Sequence, residues 1–328
     1  MRIATFLPHV GVFGGVRRFI ELGNAWVARG HEVTLYHPAG EPPGWLPYSG
    51  RVAPLAAAAA ASSEVALCAD PHTWSVFRAH RAARHVYYCV LERDPGLRQA
   101  LADRDVVLAA NSSPLRRDLV RRADRPVLDG IGGIDPERFR PGSAHSAPPL
   151  RVLVNGRSSR AKKGTALILR ALAGLGAQVP AFEIVLFDTP GPGERDPRTD
   201  GPLPANARYV LGPTQAELVS LYQAADVFIA AERKAGWCNT ALEAMACGCA
   251  VGCTRSGTTD FARDGETALV VPVRHPWFIR RAARRLLGDG ALRARLAAAG
   301  PAEAARWSWT GLADKLLTQL AATAAPTS

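Results

Sequence analysis

Two stretches gather residues able to hold a polyanion. In "VNGRSSRAKKGTALIL", Arg157 and Lys163 bracket a polar loop ahead of a helix, and both could reach a diphosphate. A solvated basic loop is the alternative reading. Because both cations sit on a loop, replacing either with alanine is expected to leave folding largely intact. The second stretch, "ERKAGWCNTALEAMACG" (Glu232–Gly248), is a polar turn running into a helix. Trp237, Cys238, Asn239 and Thr240 would offer backbone amides at its opening, and Glu243 lies just inside. Thr240-Ala-Leu-Glu243 also fits a capping box, in which Thr and Glu satisfy each other's amides. A carboxylate accepting two ribose hydroxyls fits as well, and spacing does not choose between them. Gly14 and Gly15 follow an apolar run and open a helix, where amides can approach an anion; a plain tight turn explains them equally.

These loops need elements to position them. "RIATFLP", "HEVTLYH", "EVALCA", "HVYYCV" and "DVVLAAN" read as short buried strands alternating with helices. Val16, Phe19, Ile20, Gly23 and Val27 keep helical spacing on one face. The Pro-, Gly- and Ser-rich "PERFRPGSAHSAPP" interrupts the alternation as a linker, and "LRVLVNG" restarts it. The expectation is α/β: two Rossmann-like domains with parallel sheets facing a central cleft. The first spans 1–142, and an amphipathic helix over 307–324 packs back on it; the second spans 149–306. "VAPLAAAAAASS" is a low-complexity loop or short helix.

The 328 residues suffice for two packed domains, and 48% hydrophobic with 21% charged residues is ordinary globular composition. No signal peptide or membrane-length apolar run is visible, so a soluble cytoplasmic protein is expected. The net charge of +11 comes almost wholly from arginine. No nucleic-acid module motif accompanies it, so the expected partners are anionic small molecules, with peripheral contact of the basic helices "SPLRRDLVRRADR" and "FIRRAARRLL" to an acidic membrane as a further possibility. The six cysteines form no CxxC pair and read as reduced core residues. Asp103-x-Asp105 reads as solvated surface, and no metal site is expected.

Taken together, these segments resemble glycosyltransferase family 4 enzymes of the GT-B fold, over nearly the whole chain. "GGVRRFIELGNAWVARGHEVTLY" is similar to the family's opening and "GGIDPERFRP" to its domain junction. "YVLGPTQAELVSLYQAADVFIA" and "LEAMACGCAVGCTRSGTTDFARDGETALVVP" resemble its donor half. The resemblance implies retaining transfer from a nucleotide diphosphate sugar (UDP- or GDP-linked) to an acceptor on the first domain, without metal or other cofactor. It puts the donor diphosphate on Arg157 and Lys163, the family's glycine-loop residue on Gly15, and the ribose on Glu243. Amides of residues 237–240 would meet sugar and phosphate, and backbone near Tyr209 and Val210 the base. The first glutamate of the family's motif, which touches the sugar, falls on Ala235. That departure implies a donor lacking the relevant hydroxyl, one with a bulkier group, or slow turnover. A nucleotide-sugar-binding protein impaired in catalysis and a sugar-nucleotide epimerase are the rival readings. His72 and Glu92 are the nearest polar candidates on the acceptor side.

Overall fold

Short runs of β-branched and aromatic residues, each ended by glycine or a polar turn, become strands; the longer amphipathic repeats between them become helices. The computed structural model describes residues 1–142, 149–191 and 193–322. It divides into Met1–Gly133 with the chain from Trp309 onward, here unit 1, and Ile134–Ser308, unit 2.

Unit 1 runs β1 (Arg2–Phe6), α1 (Gly14–Val27), β2 (Glu32–His37), β3 (Arg51–Pro54), β4 (Ser62–Cys68), α2 (Trp74–Ala79), β5 (Arg81–Cys89), α3 (Leu97–Ala102), β6 (Val106–Ala110), α4 (Ser113–Ala123) and β7 (Val127–Asp129). The sheet is parallel in the order β3-β2-β1-β4-β5-β6-β7. The alanine-rich stretch hides a strand: β3 enters it, and a 3-10 turn over Leu55–Ala60 leads to β4. Alternation across so short an edge strand, followed by six near-identical residues, leaves no period to read.

Unit 2 runs β8 (Leu150–Asn155), α5 (Thr165–Ala173), β9 (Phe182–Asp188), β10 (Ala207–Leu211), α6 (Gln215–Gln223), β11 (Val227–Ala230), α7 (Asn239–Ala246), β12 (Ala250–Thr254), β13 (Leu269–Val271), α8 (Pro276–Gly288) and α9 (Gly290–Ala305). Its sheet is also parallel, ordered β10-β9-β8-β11-β12-β13.

The division falls at Gly133, ahead of residue 142, because the described part of the proline-rich stretch is built into unit 2. Ile134 bridges Ser308, Phe139 packs edge-on against Tyr222, and Gln223 Nε2 donates to the Arg140 carbonyl at 2.9 Å. Residues 143–148 of that stretch lie outside the described residues. The last helix, α10 (Trp309–Ala322), belongs to unit 1: Leu312, Leu316 and Leu320 join Phe19, Ile20 and Trp26 in one core. Lys315 Nζ donates to Asp129 Oδ1 and to the Ile131 carbonyl, both at 2.8 Å. Residues 323–324 of the expected helix lie outside the described residues.

Candidate functional site

In each sheet the strand order reverses once, between β1 and β4 in unit 1 and between β8 and β11 in unit 2. Loops leaving neighbouring strands diverge at such a reversal, and ligands of open α/β sheets bind beyond the carboxyl ends there. In unit 2 those loops, 156–164 and 231–238, are the two stretches singled out from the sequence.

Arg157 is not a free loop cation. Its side chain is 5% exposed; Nε donates to Asp188 Oδ2 at 2.5 Å and Nη1 to the Arg195 carbonyl at 3.0 Å. Nη2 lies 3.3 Å from Glu194 Oε2, and Glu194 also accepts from the Gly191 amide and pairs with Arg160. Burial draws the guanidinium pKa down, but the bond and charge of Asp188 prevail and hold it above its ordinary value. The expectation that alanine at 157 leaves folding intact is therefore corrected: Asp188, itself 7% exposed, would lose its counter-charge.

Lys163 is held more loosely. Nζ donates to Glu232 Oε1 at 2.7 Å, with side chains 30% and 15% exposed. Burial lowers its pKa, yet the Glu232 charge and hydrogen bond outweigh that and raise it. An ammonium has three donors, so two remain for a ligand. Glycine makes this approach of the loops possible. Gly164 has φ +79°, and a Cβ there would lie 2.4 Å from the Ala231 carbonyl oxygen.

The second loop is fastened at several points. Thr254 Oγ1 donates to the Glu232 carbonyl at 2.8 Å, and Arg233 N to the Lys162 carbonyl at 3.0 Å. Arg274 donates to the carbonyls of Ala231 and Ala161, tying both loops together. Ala235 N donates to Ser256 Oγ at 2.9 Å. The Cys238 amide, expected to face a ligand, instead donates to the Gly257 carbonyl at 2.8 Å. Trp237 packs edge-on against Phe261 and Trp307.

Glu243 forms no capping box. Helix α7 has Cys238 at its N-cap without a side-chain cap, which puts Thr240 inside the helix. Glu243 is 4% exposed and accepts a 2.9 Å hydrogen bond from Tyr222 Oη. The box is built at α6, between Thr214 and Glu217. Val210 and Tyr209 lie on β10, an edge strand with one side unpaired by any other strand. Tyr209 Oη reaches the Gly156 carbonyl at 3.3 Å, and burial, with Asp188 next, pushes its pKa up to about 12.

Four buried side-chain atoms on or beside these two loops have no hydrogen-bond partner among the described residues: Asn155 Oδ1, Arg157 Nη2, Trp237 Nε1 and Asn239 Oδ1. Buried polar atoms are rarely left so, although Arg157 Nη2 still has the Glu194 carboxylate as its ion-pair partner. Asp188, Glu194 and Glu232 were missed in the sequence as partners of the cations. The signal for two of them was their place at strand ends, in "VLFD" and "IAAE".

The remaining candidates fall in unit 1. Gly14 and Gly15 form the first turn of α1, whose N-cap Phe13 makes no side-chain cap. A Cβ at Gly15 would meet only Val90, at 3.9 Å, so the fold itself does not demand glycine there. His72 is 81% exposed and its ring is bonded to Asp70 at 2.7 Å. Glu92 follows β5, one strand from the reversal, on the surface. All six cysteines are free and buried, and burial pushes Cys68 up to about 11 and Cys253 to about 12. Asp103 pairs with Arg78 at 2.7 Å. Among the described residues no group of His, Cys, Asp or Glu is placed to hold a metal ion, and no helix is long and apolar enough to cross a membrane.

Residues 149–289 match the model of the glycosyl transferases group 1 family. The chain is 31% identical over 243 residues to the D-inositol 3-phosphate glycosyltransferase of Stackebrandtia nassauensis, covering 68% of this chain and 55% of that protein. It is 30% identical over 206 residues to the phosphatidyl-myo-inositol mannosyltransferase of Mycolicibacterium smegmatis, covering 61% and 48%. The chain thus spans about half the length of these curated relatives. Among solved structures, the sucrose-phosphate synthase of Thermosynechococcus elongatus superposes with TM-score 0.81 at 19% identity, over 98% of this chain and 100% of that one. Anabaena HepE in complex with UDP-glucose superposes with TM-score 0.74 at 17% identity, over 98% and 100%. The chain carries a glycosyl transferases group 1 domain over residues 149–289 and has the GT-B fold of two parallel-sheet α/β domains.

Proposed function

We propose that the protein is a retaining, metal-independent glycosyltransferase that uses a nucleotide diphosphate sugar. The observation that carries the reading is the pairing of Arg157 and Lys163 with orphaned buried polar atoms at the strand reversal of unit 2. Breaking the bond between the anomeric carbon and phosphate leaves a nucleoside diphosphate whose charge must be stabilised. Two cations caged in advance by their own carboxylates do this with little reorganisation. The acceptor oxygen bonds to the anomeric carbon on the face the phosphate leaves, and its proton passes to a departing phosphate oxygen. Glu243 takes the ribose hydroxyls, sharing its carboxylate with Tyr222, and the β10 edge at Val210 takes the base. Trp237, Cys238, Asn239 and Thr240 line the entry to α7, with Asn239 and the Trp237 indole offering the unpaired atoms. Gly14 and Gly15 leave room for an anion at the start of α1, and His72 and Glu92 are the acceptor-side groups of this reading. The cytoplasm is the proposed location. Peripheral contact with an acidic membrane falls to α8 here, where Arg280, Arg281 and Arg284 surround the exposed Trp277, rather than to α4, whose Arg121 and Arg122 are paired with Asp118.

The test is a binding and turnover screen against UDP- and GDP-linked sugars, each with and without a chelator. Tight binding of one donor, release of its nucleoside diphosphate and indifference to the chelator are expected. Activity lost on chelation and restored by Mn²⁺ would overturn metal independence. Donor isomerised without any acceptor would favour the epimerase reading.

A further inference from the structure

We infer that Glu232 is the donor-sugar-facing acid of this site, supplying from three residues upstream the hydroxyl acceptor that Ala235 cannot. The inference rests on the reading of Arg157 and Lys163 as the diphosphate cradle. Glu232 is the one carboxylate in the loop "AERKAGWC". Its Oε1 accepts from Lys163 Nζ at 2.7 Å, while Oε2 accepts no hydrogen bond among the described residues. The side chain is 15% exposed, so a small polar group can reach it. Its backbone does not swing away, because Thr254, Arg274 and the contact with Lys162 hold residues 231–233 to the first loop.

Charge then orders the ligand. A phosphate oxygen placed against a carboxylate is repelled, so a diphosphate on Lys163 lies on the side of the ammonium away from Glu232. The part of the donor that fits beside Glu232 is neutral and carries hydrogen-bond donors, which describes the hydroxyls of the sugar attached to that phosphate. Lys163 bridges the two: one N–H fixes the carboxylate and the others meet the phosphate. The other charged groups near the pair are Asp188 on the Lys163 side and Arg233 and Arg274 near Glu232; the buried Cys238 beside Lys163 is held as a neutral thiol by burial. The implied substrate class is a nucleotide diphosphate sugar bearing a free hydroxyl at the contacted carbon, rather than one deoxygenated there. A site built to accept from a hydroxyl discriminates strongly against a donor lacking it.

The experiment compares free nucleotide with nucleotide sugar. UDP, UDP-glucose, GDP and GDP-mannose are titrated calorimetrically into wild type, Glu232→Ala, Glu232→Gln and Lys163→Ala. For the nucleotide that binds, Glu232→Ala is expected to weaken the sugar-bearing form at least tenfold. The free diphosphate should stay within threefold or bind more tightly. Glu232→Gln keeps the shape and one acceptor, so it should fold as wild type and fall between. Equal weakening of both forms would mean that Glu232 acts only by aiming Lys163, and would overturn the inference; so would no change in either. Lys163→Ala reports on the cradle itself. If it binds the free diphosphate as wild type does, or if wild type binds none of the four, the proposed function fails and takes this inference with it.

Discussion

The two strand reversals stand on matching scaffolds and carry different chemistry. At the reversal of unit 2, a guanidinium and an ammonium are each caged by carboxylates, and buried polar atoms around them lack partners. At that of unit 1, the loops after β1 and β4 bury no cation among the described residues and are held by local hydrogen bonds and by the Trp45 indole, which donates to the Val10 carbonyl at 2.8 Å. The Asp70 side chain accepts from the His72 amide at 2.8 Å and from its ring, and His9 Nδ1 accepts from the Gly11 amide at 3.2 Å. Val12 and Phe13 stand 41% and 50% exposed there. The difference is one of preorganisation. A site for a polyanion must bury charge, and buried charge needs a fixed cage of counter-charges and hydrogen bonds. Among the described residues, the unit 1 loops after β1 and β4 bury no cation of this kind, so little in their sequence marks them out.

The largest effect is expected at Arg157. Arg157→Ala removes one member of a buried ion pair and strands Asp188. Loss of about 3–5 kcal/mol of stability is expected, with nucleotide binding lost as well. Urea denaturation followed by tryptophan fluorescence would measure it. A loss under about 1 kcal/mol would show that the cage serves the ligand alone and not the fold.

Lys163 sharpens the contrast within one site. It is part-exposed and its pair with Glu232 is partly solvated, so Lys163→Ala should change stability by under about 1 kcal/mol. Nucleoside diphosphate binding should nevertheless fall by about 1.5–3 kcal/mol, roughly 10- to 100-fold, because a charge-assisted contact is lost. Calorimetric titration beside a denaturation curve separates the two effects. If stability and binding fell together, Lys163 would be structural in the same sense as Arg157.

How far the sequence could be read follows the same line. The alternation of short apolar runs with helices gave both parallel sheets, since each strand is buried on both faces and reads as a continuous run. Strand β3 escaped because its four residues at a sheet edge run into an alanine tract without a period. The cations were legible because their residue types and loop position are local features. Their partners were not: Asp188 is 31 residues from Arg157 and Glu232 is 69 from Lys163, and only the sheet order brings them together. The capping box at Thr240 was legible and absent, because α7 starts at Asn239 and burial against Tyr222 claims the Glu243 carboxylate.

The smallest effect expected concerns an acid in unit 1 with no counter-charge of its own. Asp94, on the loop after β5, is 9% exposed. Its Oδ1 accepts from Tyr87 Oη at 2.6 Å and from the Gly96 amide at 2.8 Å, while Oδ2 is buried without a partner among the described residues. Burial raises its pKa, and its hydrogen bonds offset only part of that. A carboxyl whose folded pKa lies above the unfolded one binds its proton more tightly when folded. Its ionisation therefore removes stability as pH rises from the ordinary aspartate range, near 4, through the raised folded value. Asp94→Asn keeps the acceptor for Tyr87 and Gly96 and removes that charge. The variant should be equal to or more stable than wild type near neutral pH, by under about 1 kcal/mol, and the gain should vanish at acid pH where both side chains are neutral. Paired urea curves at ~pH 7.5 and ~pH 4 would show it. Nucleotide binding, a property of unit 2 in this reading, should not move. A variant less stable than wild type at neutral pH would mean that the buried second oxygen of Asp94 has a partner that only a carboxylate satisfies.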